Sequence, residues 1–157
     1  SLTDSAFSWL SFHGAIALET GKDPQMGQMP LSGLYPNYRF YCCADNRYLS
    51  VGALEPHFAQ RLAEVLNVPF NEKALEALFL TESQDFWHKK LSEHDLCVEP
   101  VLNLSEVFKD PYMLSRHLII EVDHLKQPGI PIKLSETPGS IQRNAPDLGE
   151  HNHELKV

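Results

Sequence analysis

Several features that announce a chemistry are missing from this 157-residue chain. There are three cysteines, an odd number, and no C-x-x-C pair among them. Cys42 and Cys43 are adjacent, and on an extended segment neighbouring side chains point to opposite faces, which is poor disulfide geometry. Reduced thiols and a cytoplasmic compartment are therefore expected. No stretch approaches the roughly 20 apolar residues of a membrane-spanning helix. No basic segment leading into an apolar run marks a signal peptide at Ser1, so no membrane association is expected. His88 and His94 stand in charged sequence and His151-x-His153 in a polar tail, without H-E-x-x-H or a cysteine pair, so no metal is expected. No glycine-rich phosphate loop and no G-x-S-x-G elbow is present. Positive charge is also scarce: 13 Lys and Arg against 21 Asp and Glu give a formal net charge of −8. That balance speaks against nucleic acid as a partner but leaves room for a local basic site for a phosphate-bearing ligand.

With 43% apolar residues the chain can bury a real core, and one domain is the default. Its most informative run is Tyr41–Phe58. Tyr38, Phe40 and Cys42 alternate with Arg39, Tyr41 and Cys43, the period of a half-buried strand. Asp45-Asn46 is turn chemistry, because both side chains tolerate a left-handed backbone. Tyr48–Val51 returns as the partner strand. Pro56 suits the first position of a helix and makes Glu55 its N-cap, where the positive end of the helix dipole favours an anion. A carboxylate there is either a structural cap or a charge aimed at a partner, and local sequence alone leaves both open.

Elsewhere, residues 5–19 read as a helix capped by Asp4 and apolar over most of its circumference, hence buried against something large. Residues 20–37 form a long Gly- and Pro-rich loop. Helices are expected at Pro56–Leu66, with Phe58, Leu62, Val65 and Leu66 inward, at Ala74–Leu80, and after Thr81 with Gln84 completing a capping box. Cys97–Leu102 reads as a short strand with Cys97 as a small core residue. Ser105 and Asp110 read as caps of brief helices, Leu118–Val122 as a buried strand, and Gln127–Pro131 and Glu136–Gly139 as turns. One hairpin, isolated strands and short helices without a βαβ rhythm indicate an α+β fold.

The run ADNRYLSVGALEPHF, residues 44–58, resembles the small-domain signature of the α-methylacyl-coenzyme A racemases within the family III coenzyme A transferases, the CaiB/BaiF group. Asp95–Leu102 (DLCVEPVL) resembles the family's D-x-C-x-x-P-V segment, and Ser105–Pro111 with Ser115-Arg116 its E-x-x-x-D-P-x-x-x-x-R segment. Thr137-Pro138-Gly139 and Pro146–Asn152 resemble its closing motifs, all in family order. Asn46 stands where the family commonly has glycine, a departure that a left-handed turn tolerates.

The resemblance implies the C-terminal small-domain part of a longer subunit, without the Rossmann-like N-terminal large domain. The implied organisation is a helix and loop at 1–36 leading from the large domain, a small α+β domain at 37–125, and a return segment at 126–157. It further implies an acyl-coenzyme A thioester as substrate, no covalently bound cofactor, and a homodimer built through the apolar helix of residues 5–19. The implied chemistry inverts the carbon beside the thioester carbonyl, using a histidine and an aspartate of the large domain. Glu55 would orient and charge-balance that histidine, and Met26 and Met29 would line the acyl path. The isolated chain is then expected to be inactive. The absence of a tetraglycine run favours the racemase branch over the acyl-CoA:carboxylate transferase branch. A non-catalytic partner module is the third reading.

Overall fold

The computed structural model describes residues 1–154. It has an α+β architecture: helices α1 (Leu2–Ser8) and α2 (Ser11–Thr20), strands β1 (Tyr38–Cys42) and β2 (Tyr48–Gly52), helices α3 (Pro56–Leu66), α4 (Glu72–Phe79) and α5 (Gln84–Ser92), strand β3 (Val98–Pro100), helices α6 (Leu104–Val107) and α7 (Pro111–Ser115), strands β4 (Ile119–Val122) and β5 (Leu125–Pro128), and a final 3₁₀ turn at Asn152–Glu154. The chain divides into two compact units, Ser1–Val101 and Leu102–Val157.

The first unit is organised by an antiparallel sheet of order β1-β2-β3. Its hairpin turns at Asn46, with φ of 59°, as the Asp-Asn pair predicts. Pairing sets Arg39 opposite Val51 and Tyr41 opposite Leu49, so those residues share one face, while Tyr38, Phe40, Cys42 and Ser50 share the other. Tyr41, Leu49, Val51 and Val98 are buried with Leu62 and Leu66 of α3, Leu75 and Phe79 of α4, and Trp87 and Leu91 of α5 in one core. Phe58 and Val65 pack at its margin, so the α3 face expected from the sequence is the one used. Tyr41, Phe79 and Trp87 form its aromatic centre, with ring centroids 5.0 and 5.3 Å apart. The Trp87 indole N–H donates to the Phe79 carbonyl, which removes the cost of burying it.

Several expectations require correction. The helix expected over residues 5–19 is two helices, capped by Ser1 rather than Asp4 and interrupted at Trp9-Leu10. The Ser5 and Ser8 hydroxyls donate back to the carbonyls of Ser1 and Ser5, a local bonding pattern that competes with helix continuation. Neither helix contributes a buried residue, and Phe7, Trp9 and Leu18 are exposed. The cap of α5 is Ser83, whose side chain accepts from the Phe86 N–H, whereas the Thr81 hydroxyl donates to the Leu78 carbonyl at the end of α4. Cys97 is exposed, not a core residue, because a left-handed backbone at φ 52° turns it away between the buried Leu96 and Val98.

In the second unit, Asp110 caps α7 as expected, accepting from the Met113 N–H, with Pro111 at the first helical position. The cap of α6 is Asn103, not Ser105, and its own N–H donates to Glu106 Oε2 at 2.8 Å. The strand expected at Leu118–Val122 is half-buried and pairs with β5, so Gln127 and Pro128 belong to a strand rather than to a turn. The reversal occurs at Asp123-His124, both with positive φ.

Candidate functional site

The segment linking β2 to α3 is held by backbone hydrogen bonds and by a side-chain amide. The Gly52 N–H donates to the Cys97 carbonyl at 2.9 Å, and the Leu54 N–H donates to the Gly52 carbonyl at 3.0 Å. The methyl group of Ala53 is fully buried. The amide of Asn37 donates to the Ala53 carbonyl at 2.6 Å. Beside it, the buried Tyr41 hydroxyl donates to the Pro36 carbonyl at 2.6 Å, tying the start of β1 to the loop before it.

This tight exit delivers Glu55 to the N-cap of α3, in extended conformation with φ of −66° and ψ of 139°. Pro56 follows at the first helical position, and the Glu55 carbonyl accepts from the Ala59 N–H. Its side chain makes no capping hydrogen bond. The backbone therefore occupies the cap position while the exposed carboxylate stays unspent, and of the two roles open from sequence, the plain side-chain cap is not the one adopted. Glu55 is close enough to Cys97 to influence it. Loss of hydration, with the negative charges of Asp95, Glu55 and Glu99, holds that thiol above its usual range. A thiol kept protonated is a poor nucleophile.

The outer face of the sheet carries a cleft of about 590 Å³. Leu31, Ser32 and Gly33 form one wall, and Tyr38, Phe40 and Ser50 the floor. Phe40 is 68% exposed there, an aromatic ring left without cover. Arg39, by contrast, turns to the other face and pairs with Glu72 at 2.5 Å, locking β1 to α4. The loop that supplies the cleft wall also carries Met26 and Met29. Met26 is fully exposed, and Met29 is half-buried two residues before Leu31, and neither lines the cleft. This cleft therefore does not bring Glu55 and the two methionines together. Tyr38 and Phe40 are legible in sequence only as strand residues, and Leu31 and Asn37 carry no sequence signal, since the cleft and the Asn37–Ala53 bond join segments distant in the chain. The positive φ of Leu31 and of Gly33 marks the bend of that wall. Among the described residues no group of three or more His, Cys, Asp or Glu is placed to hold a metal ion. No described helix is long and apolar enough to cross a membrane.

The family model described as CoA-transferase family III matches residues 1–152. The chain belongs to that family. Among its curated relatives, the alpha-methylacyl-CoA racemase of Mus musculus is 30% identical over 151 residues, covering 85% of this chain and 39% of the relative. A formyl-CoA:oxalate CoA-transferase of Rhodopseudomonas palustris is 37% identical over 70 residues, 41% of this chain and 16% of the relative. In structure the chain is similar to a CaiB/BaiF family protein from Brucella suis, with a TM-score of 0.70 at 19% identity, over 92% of this chain and 43% of that one. The family III chain thus spans well under half the length of these relatives. The family includes racemases and CoA-transferases, so the family shared by all these proteins is one of acyl-CoA enzymes.

Proposed function

We propose that this chain supplies the small-domain half of an α-methylacyl-CoA racemase site, with Glu55 as its working carboxylate. The observation that carries the reading is the unspent charge: a glutamate at a helix N-cap, exposed, whose side chain makes no capping bond. A carboxylate beside an imidazole raises the imidazole's pKa and fixes its tautomer. That imidazole, and the aspartate acting on the opposite face of the substrate carbon, belong in the family to the large domain. The chain by itself is therefore inactive and works with that domain. The cleft over Tyr38 and Phe40 is apolar enough to take part of an acyl group. Met26 and Met29 lie in the loop that supplies its wall and would meet the rest of the acyl chain beyond it. The exposed aromatic side chains of α1 and α2 support a homodimer. Similarity to the racemase along 85% of the chain supports this branch, whereas formyl-CoA:oxalate CoA-transferases match 41% of it at 37% identity and 64% of it at 31% identity. Those matches favour acyl-CoA:carboxylate transfer as the second reading.

The test is deuterium wash-in at the α-carbon of a 2-methylacyl-CoA, read by mass. The chain alone is expected to exchange no faster than buffer. In a subunit that joins these residues to the family's large domain, exchange is expected, and Glu55→Gln lowers kcat by about 10-fold or more. Exchange by the chain alone, or an unchanged kcat in Glu55→Gln, overturns the reading.

A further inference from the structure

The exit from β2 is held by backbone groups and, at the Ala53 carbonyl, by a side chain. The Gly52 N–H is taken by Cys97, and the Leu54 N–H by Gly52. The Ala53 carbonyl between them accepts from the amide of Asn37 at 2.6 Å, from 16 residues upstream. Asn37 is half-buried. It stands at the end of the loop that walls the cleft, immediately before β1, and the Tyr41–Pro36 hydrogen bond fixes its backbone from the neighbouring residue. The amide therefore has a fixed base and reaches the peptide two residues before Glu55.

We infer that Asn37 is a positioning residue for Glu55: by clamping the Ala53 carbonyl it sets the direction in which the chain enters α3, and with it where the free carboxylate stands. The inference rests on the reading of Glu55 as the working carboxylate. The physical requirement is specific. A carboxylate committed to a cap would be located by its own hydrogen bond, but this one makes none to the helix, so its location depends on the backbone that carries it. The Asn37 bond comes from a side chain, and a substitution can remove it without altering the strand ladder. The same strap joins the segment bearing the cleft wall to the segment bearing Glu55, so the two are placed by one set of contacts.

The experiment compares Asn37→Asp and Asn37→Ala with the wild-type 157-residue chain, following amide hydrogen exchange residue by residue and the carbon-13 signal of the Glu55 carboxyl. Asn37→Asp keeps the shape of the side chain, but the ionised carboxylate at neutral pH has no proton to donate to a carbonyl. Both variants are expected to lower the protection of the Leu54 amide by about 10-fold, the equivalent of one hydrogen bond, and to move the Glu55 carboxyl signal. The amides of Leu49 and Val51 in the strand keep their protection. Wild-type behaviour at Leu54 and Glu55 in Asn37→Asp overturns the inference, because shape rather than donation would then hold the exit. Loss of protection throughout the sheet in both variants also overturns it, since Asn37 would then be a general support. The reading of Glu55 itself fails separately: an unchanged kcat in Glu55→Gln refutes it even where both Asn37 variants shift Leu54 and Glu55 as expected.

Discussion

In residues 1–101, strands and helices close over Tyr41, Leu49, Leu62, Phe79 and Trp87, all of them buried. In residues 102–157, no described residue is buried, and Leu104, Tyr112, Leu125, Ile132 and Leu148 are exposed. Both units have strands, capped helices and turns, so regular local structure is not what separates them. The first has an interior whose removal from water offsets the entropy of ordering the chain. The second is shaped by local hydrogen bonds: the Asp110 cap, the β4-β5 hairpin, and the close approach of Gly129 to the His117 carbonyl, where a Cβ would stand only 2.2 Å from the oxygen. Good local chemistry can define a conformation without supplying the burial that stabilises it. The candidate carboxylate and cleft both lie in the unit that has the interior.

The sharpest way to break this contrast is to remove a side chain from each unit. Phe79→Ala is expected to cost about 3–5 kcal/mol, since a fully buried ring between Tyr41 and Trp87 leaves a cavity. Ile120→Ala, at a half-buried position of β4, is expected to cost less than about 1.5 kcal/mol. Urea titration followed by residue-specific exchange reads both, and equal losses would remove the distinction between the units.

A smaller effect is expected at Gln84, which is 5% exposed and donates through Nε2 to the carbonyls of Tyr48 and Val101. Asp45 reinforces the place, accepting from the Gln84 N–H and so tying the hairpin turn to the start of α5. Gln84→Leu fills the space but leaves both carbonyls without that donor, and should lower the unfolding free energy by about 1–3 kcal/mol. A variant as stable as wild type would show that apolar packing alone holds this corner.

The interior should also make the first unit sensitive to alkali. Burial pushes the Cys43 thiol up to about 11 and the Tyr41 phenol up to about 12. The unfolded groups titrate near 9.0 and 10.0, so above about pH 9 the unfolded chain sheds protons that the folded chain keeps. Stability therefore falls as pH rises through the window from 9 to 12, and neither group contributes to pH dependence below it. The loss is on the order of 1 kcal/mol by pH 10, and Cys43→Ala moves its onset upward by about one pH unit. Denaturant midpoints from pH 8 to pH 11 measure it, with a flat profile contradicting the assignment of these groups to the interior.

Signals carried within a few residues were legible in sequence. The alternation of β1, the left-handed Asn46, Pro56 after an N-capping Glu55, and the Asp110-Pro111 start of α7 each depend on chemistry between near neighbours. Failures occurred where two local solutions competed. Ser83 rather than Thr81 opened α5, and Asn103 rather than Ser105 opened α6, because several residues in each stretch could cap; at α6 the reciprocal Asn103–Glu106 capping box made the choice. The break at Trp9-Leu10 went unread because a helical period continues across it. Cys97 was misread because an apolar-flanked cysteine has the pattern of a core residue, and only its left-handed backbone turns it outward.

Sequence alone determined the family of this chain, its α+β character, the hairpin and the location of Glu55 at the head of a helix, since each rests on residue order and short-range backbone preference. Tertiary structure decided which hairpin face meets the core, because alternation defines two faces but only packing against α4 and α5 selects one. It also decided that the Glu55 side chain is left out of its own cap, and that Asn37, 16 residues before Ala53, holds the peptide beside it. A hydrogen bond between groups so far apart in the chain leaves no periodicity behind it; it exists once the sheet has folded and brought the two segments together.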